Sequence, residues 1–565
     1  MSKYYEIDNI NKTVILNFDY DEQIVQRVKV CSYNARWNPE LKCWIIPVDD
    51  YSITRISTLI KDFNFVKKIS LVQEDVKVSY QRVEIDLAYI KGLCDAKDFA
   101  YTPRDYQYDA LGFAIEKGNI INGDDVGLGK TFEGIMYAET TNSFPCIVVV
   151  PASVKYNWKE KWLEITKNKR SVSVIESKET TKRKNDWTAD VVIINYDIIG
   201  KKQGRGTTMR FAQLVDIKWK MSIFDEAHFL KNKTSQRSAA AKKITQISDD
   251  IIIQLLTGTA TMSKPVELWN LLKLIKADHL IADDWYKFVR TYCGGYKGKF
   301  GWVTDGATNM LQLNQKLREI CYIRREKREV LSEMPEVTQQ VIQMPITNKK
   351  AIDSAKEDLL GYLLETKGLE AVESAMEAEH LVALGLMRQL AIEGKSKAID
   401  QYIKDWKETR KKLVVFGIHK EQLQQLSEKF KCPLIAGGVS SIKKQQMVKD
   451  WQTSDDQFLF ANMASAGTGV DGLQNVCSNM LIIELPWRPS DLTQAIGRLD
   501  RSGQKEPVTV TFGLNDDTID SAMFEMLADK QMVTEAVNKG IDIQRSKSGM
   551  RQVLKKIFKK SKGNV

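Results

Sequence analysis

The chain reads Asp-Asp-Val-Gly-Leu-Gly-Lys-Thr at residues 124–131 and Asp-Glu-Ala-His at residues 225–228. The first stretch follows the apolar pair Ile120-Ile121 and precedes a helical pattern. A glycine-rich turn in this position aims backbone N–H groups and a helix N-terminus at a phosphate. The two stretches together predict a split binding site for a nucleoside triphosphate.

The residues of the glycine-rich stretch have individual predicted roles. Gly127 and Gly129 turn the loop toward phosphate. Lys130 is predicted to reach the β- and γ-phosphates, and the Thr131 hydroxyl is predicted to bind Mg²⁺. One departure is visible, because Asp124 stands where the usual motif has its first glycine.

The acidic stretch ends a strand-like run, Met221-Ser222-Ile223-Phe224. Parallel sheets place ligands at the carboxyl ends of strands, so Asp225 is predicted to bind the metal and Glu226 to activate water. Glycine-rich turns and exposed acidic tetrads are each common alone. Their combination, each after a buried-looking strand, predicts an ATP-driven motor with ATP and Mg²⁺ as cofactors.

The flanking sequence predicts an α/β fold with two parallel-sheet lobes, because short apolar strands alternate with helical patterns in two blocks. The lobes are predicted at residues 96–262 and 396–530, with a helical insertion and connector at 263–395. Residues 1–95 are predicted to form a small α+β module, and residues 531–565 a basic tail. Strands are predicted at 146–150, 191–194, 222–224, 251–256, 413–416, 433–435, 458–460, 480–483 and 508–512.

Charge and cysteine content limit the compartment and the partners. The net charge of +10 favours a polyanionic partner only mildly. Residues 546–565 hold seven Lys or Arg and no acid, which fits either a nucleic-acid arm or a solvated tail. The eight cysteines form no C-x-x-C pair, so we expect no zinc site and a reducing compartment. Without a long apolar run or a signal peptide, we expect a soluble intracellular protein that binds no membrane.

Several further segments are candidate ligand contacts. Arg104 and Gln107 lie upstream of the phosphate loop, where the Gln amide can pair with the N6/N7 edge of adenine. Ser153 and Thr257 end two strands of the first block and suit phosphate contact or lobe coupling. Residues 464–470 read Ala-Ser-Ala-Gly-Thr-Gly-Val. In this segment Ser465 is predicted to contact DNA and Gly469 the nucleotide.

The second block ends with Gln-Ala-Ile-Gly-Arg-Leu-Asp-Arg-Ser-Gly-Gln at residues 494–504. Arg498 and Arg501, three positions apart, are predicted to project from one helical face into the ATP cleft. There they would stabilise charge on the transferring phosphoryl group, beside Gln494 as a nucleotide ligand. An exposed basic helix is the alternative interpretation. It does not explain why this motif follows the fourth predicted strand of the second sheet.

With these motifs, the chain resembles superfamily 2 helicases, specifically the Swi/Snf (sucrose-non-fermenting) branch. The marks of that branch are the phosphate loop, Lys231-Asn232, Pro265-x-Glu267-Leu268-Trp269 and Arg498-x-x-Arg501-Ser502-Gly503-Gln504. The resemblance covers residues 101–530. It implies two RecA-like lobes that hydrolyse ATP and move along double-stranded DNA, with phosphates held by Ser153, Thr257 and Ser465 without base readout.

Within the branch, the chain is most similar to the HepA-related (HARP) annealing-helicase group. The marks are Tyr292-Cys293, Gly301-Trp302, Arg324-Arg325-x-Lys327 and Trp487-x-Pro489. The resemblance implies remodelling or reannealing of forked DNA in replication, recombination or repair, with single-strand-binding or replication proteins as partners. Trp37-Asn38-Pro39 and the segment 42–47 resemble that group's accessory domain, which binds DNA junctions, although a packed β-hairpin explains them equally well.

Three positions depart from the branch. Gly497 stands where Asp is usual, Asp500 where His is usual, and Met463 where Lys is common. Such divergence fits a bacterial or bacteriophage member, hence a cytoplasmic location, whereas a eukaryotic member would be nuclear. Three other functions stay open: a translocase that strips proteins from DNA or recycles polymerase, an RNA helicase, and a nucleotide-gated binding module.

Overall fold

The structure is a computed structural model, and it describes most of the chain. No described helix is long and apolar enough to cross a membrane. The described residues are 3–8, 13–32, 35–38, 43–47, 52–63, 65–67, 86–180, 184–201, 209–258, 264–298, 301–304, 306–355, 377–466 and 470–539.

The first lobe is built on a seven-stranded sheet in which every strand pairs in parallel with its neighbours. Alternate residues of Cys146–Val150 enter two different hydrophobic cores, one on each face, which explains the unbroken apolar run of this strand. In spatial order the strands are Tyr322–Ile323, Ile120–Asn122, Ile252–Leu256, Met221–Asp225, Cys146–Val150, Val191–Asn195 and Val172–Val174. The helices of this lobe are Leu87–Asp95, Asp105–Lys117, Lys130–Thr140, Lys155–Ile165, Tyr196–Ile199, Gln213–Asp216 and Gln236–Thr245.

The second lobe has a six-stranded sheet that is also parallel throughout. Residues of Leu413–Gly417 again alternate between two cores. The predicted α/β fold class with two parallel-sheet lobes is therefore confirmed. In spatial order the strands are Val337–Gln343, Val508–Leu514, Asn479–Ile482, Leu413–Gly417, Phe458–Asn462 and Leu434–Ile435. The helices are Glu377–Lys407, Lys420–Phe430, Ser441–Thr453, Met463–Ala466, Pro489–Ile496 and Ile519–Lys539.

The segment between the lobes differs from the helical insertion predicted at 263–395. Tyr322–Ile323 joins the edge of the first sheet, and Val337–Gln343 joins the edge of the second. The second of these strands is mostly exposed and polar, so it lacks the apolar run by which strands were predicted. The helices here are Leu268–Leu274, Asp278–Ile281, Trp285–Tyr292, Met310–Ile320 and Lys327–Val330, and a hairpin pairs Tyr296–Gly298 with Gly301–Val303.

The N-terminal module is a small five-stranded sheet with two helices, Glu22–Cys31 and Ser52–Asp62. Its core includes Trp44, whereas Trp37 packs at a tilt against Trp44 and is 47% exposed. Tyr51, which follows the segment 42–47 in the resemblance to the accessory domain, lies outside the described residues. The two tryptophans therefore differ, since one supports the fold and the other faces solvent. The strands in spatial order are Arg36–Asn38, Cys43–Pro47, Thr13–Asn17, Tyr4–Asp8 and Val66–Lys67.

One buried cation ties the helix Glu377–Lys407 to the second sheet. Lys395 is fully buried, and its ammonium donates hydrogen bonds to the carbonyls of Ile483 (2.8 Å) and Gly513 (2.9 Å). Its third partner is the Asp520 carboxylate at 2.7 Å. All three donors are used, which offsets the large cost of removing a charge from water.

We predict that Lys395→Ala destabilises the second lobe strongly. The substitution leaves the Asp520 carboxylate buried without its cation, which costs about 3–5 kcal/mol of unfolding free energy. Urea denaturation followed by tryptophan fluorescence measures the shift. Lys429→Ala is the control, because Lys429 is exposed in its 2.7 Å pair with Asp400, where an ion pair contributes about 1 kcal/mol or less. Equal urea midpoints for the two variants would contradict the role of Lys395.

Candidate nucleotide-binding and catalytic site

The phosphate loop connects the strand Ile120–Asn122 to the helix that begins at Lys130. Gly127 and Gly129 have φ angles of +95° and +89°, which L-residues rarely adopt. A Cβ on Gly129 would also lie 2.7 Å from Nε2 of Gln107. The loop therefore requires these two glycines, as predicted, and its turn ends at a helix N-terminus that suits phosphate.

Lys130 and Thr131 lie at the mouth of this loop and line a cleft between the lobes. The Lys130 ammonium donates hydrogen bonds to the carbonyls of Asp124 (2.6 Å) and Asp125 (3.1 Å). These bonds hold the cation beside the glycines. Phosphate oxygens that entered the cleft would compete with the two carbonyls for the same donors.

Asp225 ends its strand with both carboxylate oxygens engaged. Oδ2 accepts a hydrogen bond from the Trp158 indole at 2.8 Å, and Oδ1 accepts one from the backbone N–H of Glu226 at 2.9 Å. Burial, together with the neighbouring Glu226 charge, raises the pKa of Asp225 to about 6. The role of Trp158 as a partner of Asp225 could not be predicted from the sequence, since nothing local links it to a carboxylate 67 positions away.

Glu226 has a left-handed backbone, with φ of 51°, a strained conformation for a residue with a side chain. Its Oε1 accepts a hydrogen bond from Nε2 of Gln494 in the second lobe at 3.2 Å. Its Oε2 lies 3.1 Å from Nδ1 of His228. Burial acts to raise the pKa of Glu226, but the interactions with His228, Lys130 and Arg498 outweigh it and lower this pKa. The carboxylate form that can accept a proton is therefore favoured.

Arg498 and Arg501 both reach the cleft, but the prediction that they share a helical face is wrong. The helix Pro489–Ile496 ends before them, and both arginines lie in the following turns. Arg498 donates to the carbonyl of Val470 at 2.6 Å, and Arg501 pairs with Asp471 at 3.1 Å. Burial and the neighbouring Arg501 charge lower the pKa of Arg498 to about 10.

The cleft between the lobes has a volume of about 180 Å³ and collects the predicted catalytic side chains. It brings residues separated by hundreds of positions into one site, as a split site requires. The first lobe contributes Gly127, Gly129, Lys130, Thr131, Asp225 and Glu226, and the second contributes Val470, Asp471, Arg498 and Arg501.

Asp124, the departure from the usual loop motif, is an anchor of the loop. It is fully buried and forms an ion pair with Arg325, which donates from Nε at 3.1 Å and from its backbone N–H at 2.8 Å. Arg325 also pairs with Glu133 at 3.1 Å, and Glu133 accepts a bond from Asn122 at 2.6 Å. Burial and Asp124 raise the pKa of Glu133 to about 7. A glycine at position 124 would remove one of the two carboxylates that pair with Arg325.

We name residues 324–327 the clamp segment, because it joins the phosphate loop to the second lobe. Arg324 donates to the carbonyls of Gly123 (2.6 Å) and Gly258 (3.2 Å). Lys327 donates to the Asp500 carboxylate at 2.7 Å, with both side chains largely buried. Asp500, which stands where the branch usually has His, is therefore paired with Lys327 of the connector between the lobes.

Gln107 supports the loop from behind. Its Oε1 accepts from the backbone N–H of Arg104 at 3.0 Å, and its Nε2 donates to the carbonyl of Leu128 at 3.2 Å. A contact with adenine would require the buried amide to exchange these partners, so that role stays a prediction. Arg104 instead crosses toward the second lobe, pairing with Glu333 at 2.9 Å and with the Ser502 hydroxyl at 3.2 Å.

The predicted DNA contacts are not equivalent. Ser153, in the short turn Ala152–Val154, and Ser465, in the helix Met463–Ala466, are both partly exposed. Thr257 is fully buried, and its backbone N–H bonds to the carbonyl of Asn122 at 2.9 Å. A phosphate contact by the Thr257 hydroxyl would require the residues that cover it to move, so its DNA contact stays a prediction. Gly469 lies outside the described residues.

Curated relatives support the sequence resemblance. The chain is 29% identical over 442 residues to the Xenopus laevis "SWI/SNF-related matrix-associated actin-dependent regulator of chromatin subfamily A-like protein 1", covering 75% of this chain and 43% of that protein. It is 28% identical over 460 residues to the Homo sapiens "DNA annealing helicase and endonuclease ZRANB3", covering 77% of this chain and 40% of that protein. The chain therefore spans less than half the length of these two relatives.

A solved structure and two family models also match. The Sulfolobus solfataricus SWI2/SNF2 ATPase core in complex with dsDNA is 18% identical, with a TM-score of 0.37, and the match covers 79% of this chain and 94% of that one. The model of the helicase conserved C-terminal domain matches residues 394–503. The predicted resemblance to the Swi/Snf branch is confirmed. Since the model of the SNF2-related domain matches residues 36–383 of the 565, the chain belongs to the SNF2-related family.

Proposed function

We propose that this protein is an ATP-driven DNA motor that remodels forked or branched DNA, including reannealing of its strands. The observation that carries the proposal is the convergence of two lobes on one cleft. Lys130 and Glu226 come from the first lobe and Arg498 and Arg501 from the second. The hydrogen bond from Gln494 to Glu226 at 3.2 Å joins the lobes at the reacting centre.

The donor set fits ATP with Mg²⁺. The loop N–H groups and Lys130 would hold the β- and γ-phosphates, and oxygens of Thr131 and Asp225 would hold Mg²⁺. The ion would neutralise charge on the phosphate oxygens. Glu226 takes a proton from the attacking water as that water bonds to the γ-phosphorus and ADP departs. Arg498 and Arg501 stabilise the charge that spreads over the transferring group.

A split site couples hydrolysis to movement. The nucleotide would bind both lobes at once and favour the closed arrangement, and its hydrolysis would release one of those links. Repeated closure and opening would move one lobe past the other along DNA. Partly exposed Ser153 and Ser465 remain the predicted phosphate contacts, one on each lobe.

Membership of the SNF2-related family and the similarity to an annealing helicase support DNA as the substrate. Two sequence marks of the DNA-translocating branch also meet in space, because Lys231 pairs with Glu267 at 2.7 Å. This contact favours the DNA motor over an RNA helicase. A translocase that displaces proteins or recycles polymerase is the second candidate, since the same cleft would drive it. ATPase rates with single-stranded, duplex, forked and four-way DNA and with RNA test the proposal, and equal rates on all of them would contradict it.

We predict different defects for two substitutions in the cleft. Lys130→Ala should weaken ATP binding and abolish hydrolysis, because the cation at the β- and γ-phosphates is lost. Glu226→Gln should keep ATP binding but lower kcat by about 10² or more, because only proton acceptance is lost. Binding of a fluorescent ATP analogue and release of phosphate separate the two effects. Normal turnover in either variant would refute the assignment of the cleft.

We predict that the ion pair between Lys327 and Asp500 holds the lobes in the catalytic arrangement. Lys327→Glu and Asp500→Lys should each lower kcat at least about tenfold, since each leaves buried like charges in place of the pair. The double variant restores opposite charges and should recover most of the lost rate. The exposed pair Lys349–Asp517 provides the control, because the same exchange there should leave kcat unchanged. A double variant as slow as the single ones would exclude this role.

We predict that Trp37 contributes to recognition of forked DNA. Its ring is 47% exposed in a module without catalytic motifs, where it can stack on unpaired bases. Trp37→Ala should weaken binding to forked DNA while the ATPase rate with plain duplex stays within about twofold, since stacking acts only on unpaired bases. Val30→Ala, at an exposed position of the same module, is the control. An equal loss on fork and duplex would favour the generic translocase.

A further inference from the structure

A cluster of aromatic rings projects from the helical segment between the lobes. Trp285 and Tyr286 begin the helix Trp285–Tyr292, and Trp302 lies on the adjacent hairpin. The ring centroids are 5.2 Å apart for Trp285 and Tyr286, 5.3 Å for Tyr286 and Trp302, and 5.9 Å for the two tryptophans. We name these three rings the aromatic ridge.

The side chains of the ridge are only partly buried. Trp285 and Trp302 pack with one side against the first-lobe core. Tyr286 is 48% exposed. The tryptophans thus anchor the ridge, while Tyr286 leaves about half of its surface in water, where an apolar ring face is available to a ligand.

The charge around the ridge is positive. Residues 285–304 include four Lys or Arg and no acid. Arg290 lies over the Trp302 ring at 5.8 Å, and Lys233 lies over the Trp285 ring at 5.4 Å. Of the acids that flank this range, Asp283 accepts from the Lys287 ammonium at 2.6 Å and Asp284 caps the helix, while Asp305 follows the hairpin in the sequence.

The ridge is also held rigidly on the motor. Phe288, on the same helix, packs its ring 5.0 Å from that of Trp269 in the first-lobe core. Lys233 follows closely on Lys231, whose ion pair with Glu267 fixes the loop after the catalytic acids. The rings therefore keep their position relative to the catalytic edge of the first lobe.

We propose that the aromatic ridge is a binding site for unpaired DNA, in which a base stacks on Tyr286 and the neighbouring phosphates contact Arg290 and Lys233. Exposed rings flanked by cations match the two parts of a nucleotide, a planar base and an anionic phosphate. The bases of duplex DNA are stacked on one another, so the rings of the ridge cannot stack on them. The assignment rests on the proposed function, because it adds to the motor a place for the unpaired arm of a fork.

The test uses the full-length protein and a fluorescein-labelled oligothymidylate, with binding followed by fluorescence anisotropy. Tyr286→Ala should weaken binding about 5- to 100-fold, the range expected for loss of one base stack. Tyr286→Phe keeps the ring and should bind like wild type, which separates stacking from loss of the hydroxyl. Tyr89→Ala, an exposed tyrosine elsewhere on the first lobe, should also bind like wild type.

Duplex-stimulated ATPase activity should be unchanged in all three variants. Unchanged oligothymidylate binding by Tyr286→Ala would overturn the assignment, as would equal weakening in the Ala and Phe variants. A parallel loss of duplex affinity would point to a general phosphate contact and would also overturn it. If DNA does not stimulate the ATPase activity of the wild-type protein, the proposed motor is refuted. The oligothymidylate-binding measurement would still test whether the aromatic ridge binds unpaired DNA.

Discussion

The buried ion pair between Asp124 and Arg325 is the constraint on which the catalytic site depends. A fully buried carboxylate is tolerated only when cations and hydrogen bonds replace its water, and Arg325 provides both from its side chain and its backbone. The same guanidinium also satisfies Glu133 beneath the loop and bonds to the carbonyl of Tyr106. The conformation of the phosphate loop is therefore set by a residue that lies outside the loop and at the start of the connector between the lobes.

This arrangement makes the state of the loop and the position of the second lobe interdependent. Arg325 is separated from Lys327 by a single residue, and Lys327 is bonded to Asp500 between the two cleft arginines. Gln494 makes the second bridge, to Glu226. Both bridges join the first lobe or its connector to the second lobe in this structure. A change at the phosphate loop can therefore reach the arginines through residues 325–327 and the ion pair of Lys327 with Asp500, without any change inside the sheets.

The sequence predicted local features well and long-range partners poorly. The strand Cys146–Val150 was predictable because its apolar run is unbroken, whereas Val337–Gln343 was not, because an exposed polar edge strand has no such run. Arg498 and Arg501 were correctly assigned to the cleft but wrongly to a helix, which ends at Ile496. The partner of Asp124 could not be inferred from spacing, since 201 positions separate it from Arg325. Local sequence patterns predict the periodicity of strands and helices. The partner of a buried charge can be identified only from the three-dimensional structure.

The distribution of aromatic side chains separates the motor from its substrate-recognition surfaces. Trp162 and Trp219 are fully buried in the first lobe, where they contribute to stability, and the equally buried Trp158 holds the Asp225 carboxylate. Trp37 and Tyr286 are about half exposed, and each lies on a module outside the ATP cleft. A motor that only follows the phosphate backbone needs cations and hydrogen-bond donors, not rings. If both surfaces stack on unpaired bases, preference for forked DNA arises outside the lobes, and ATP chemistry stays the same whichever DNA is bound.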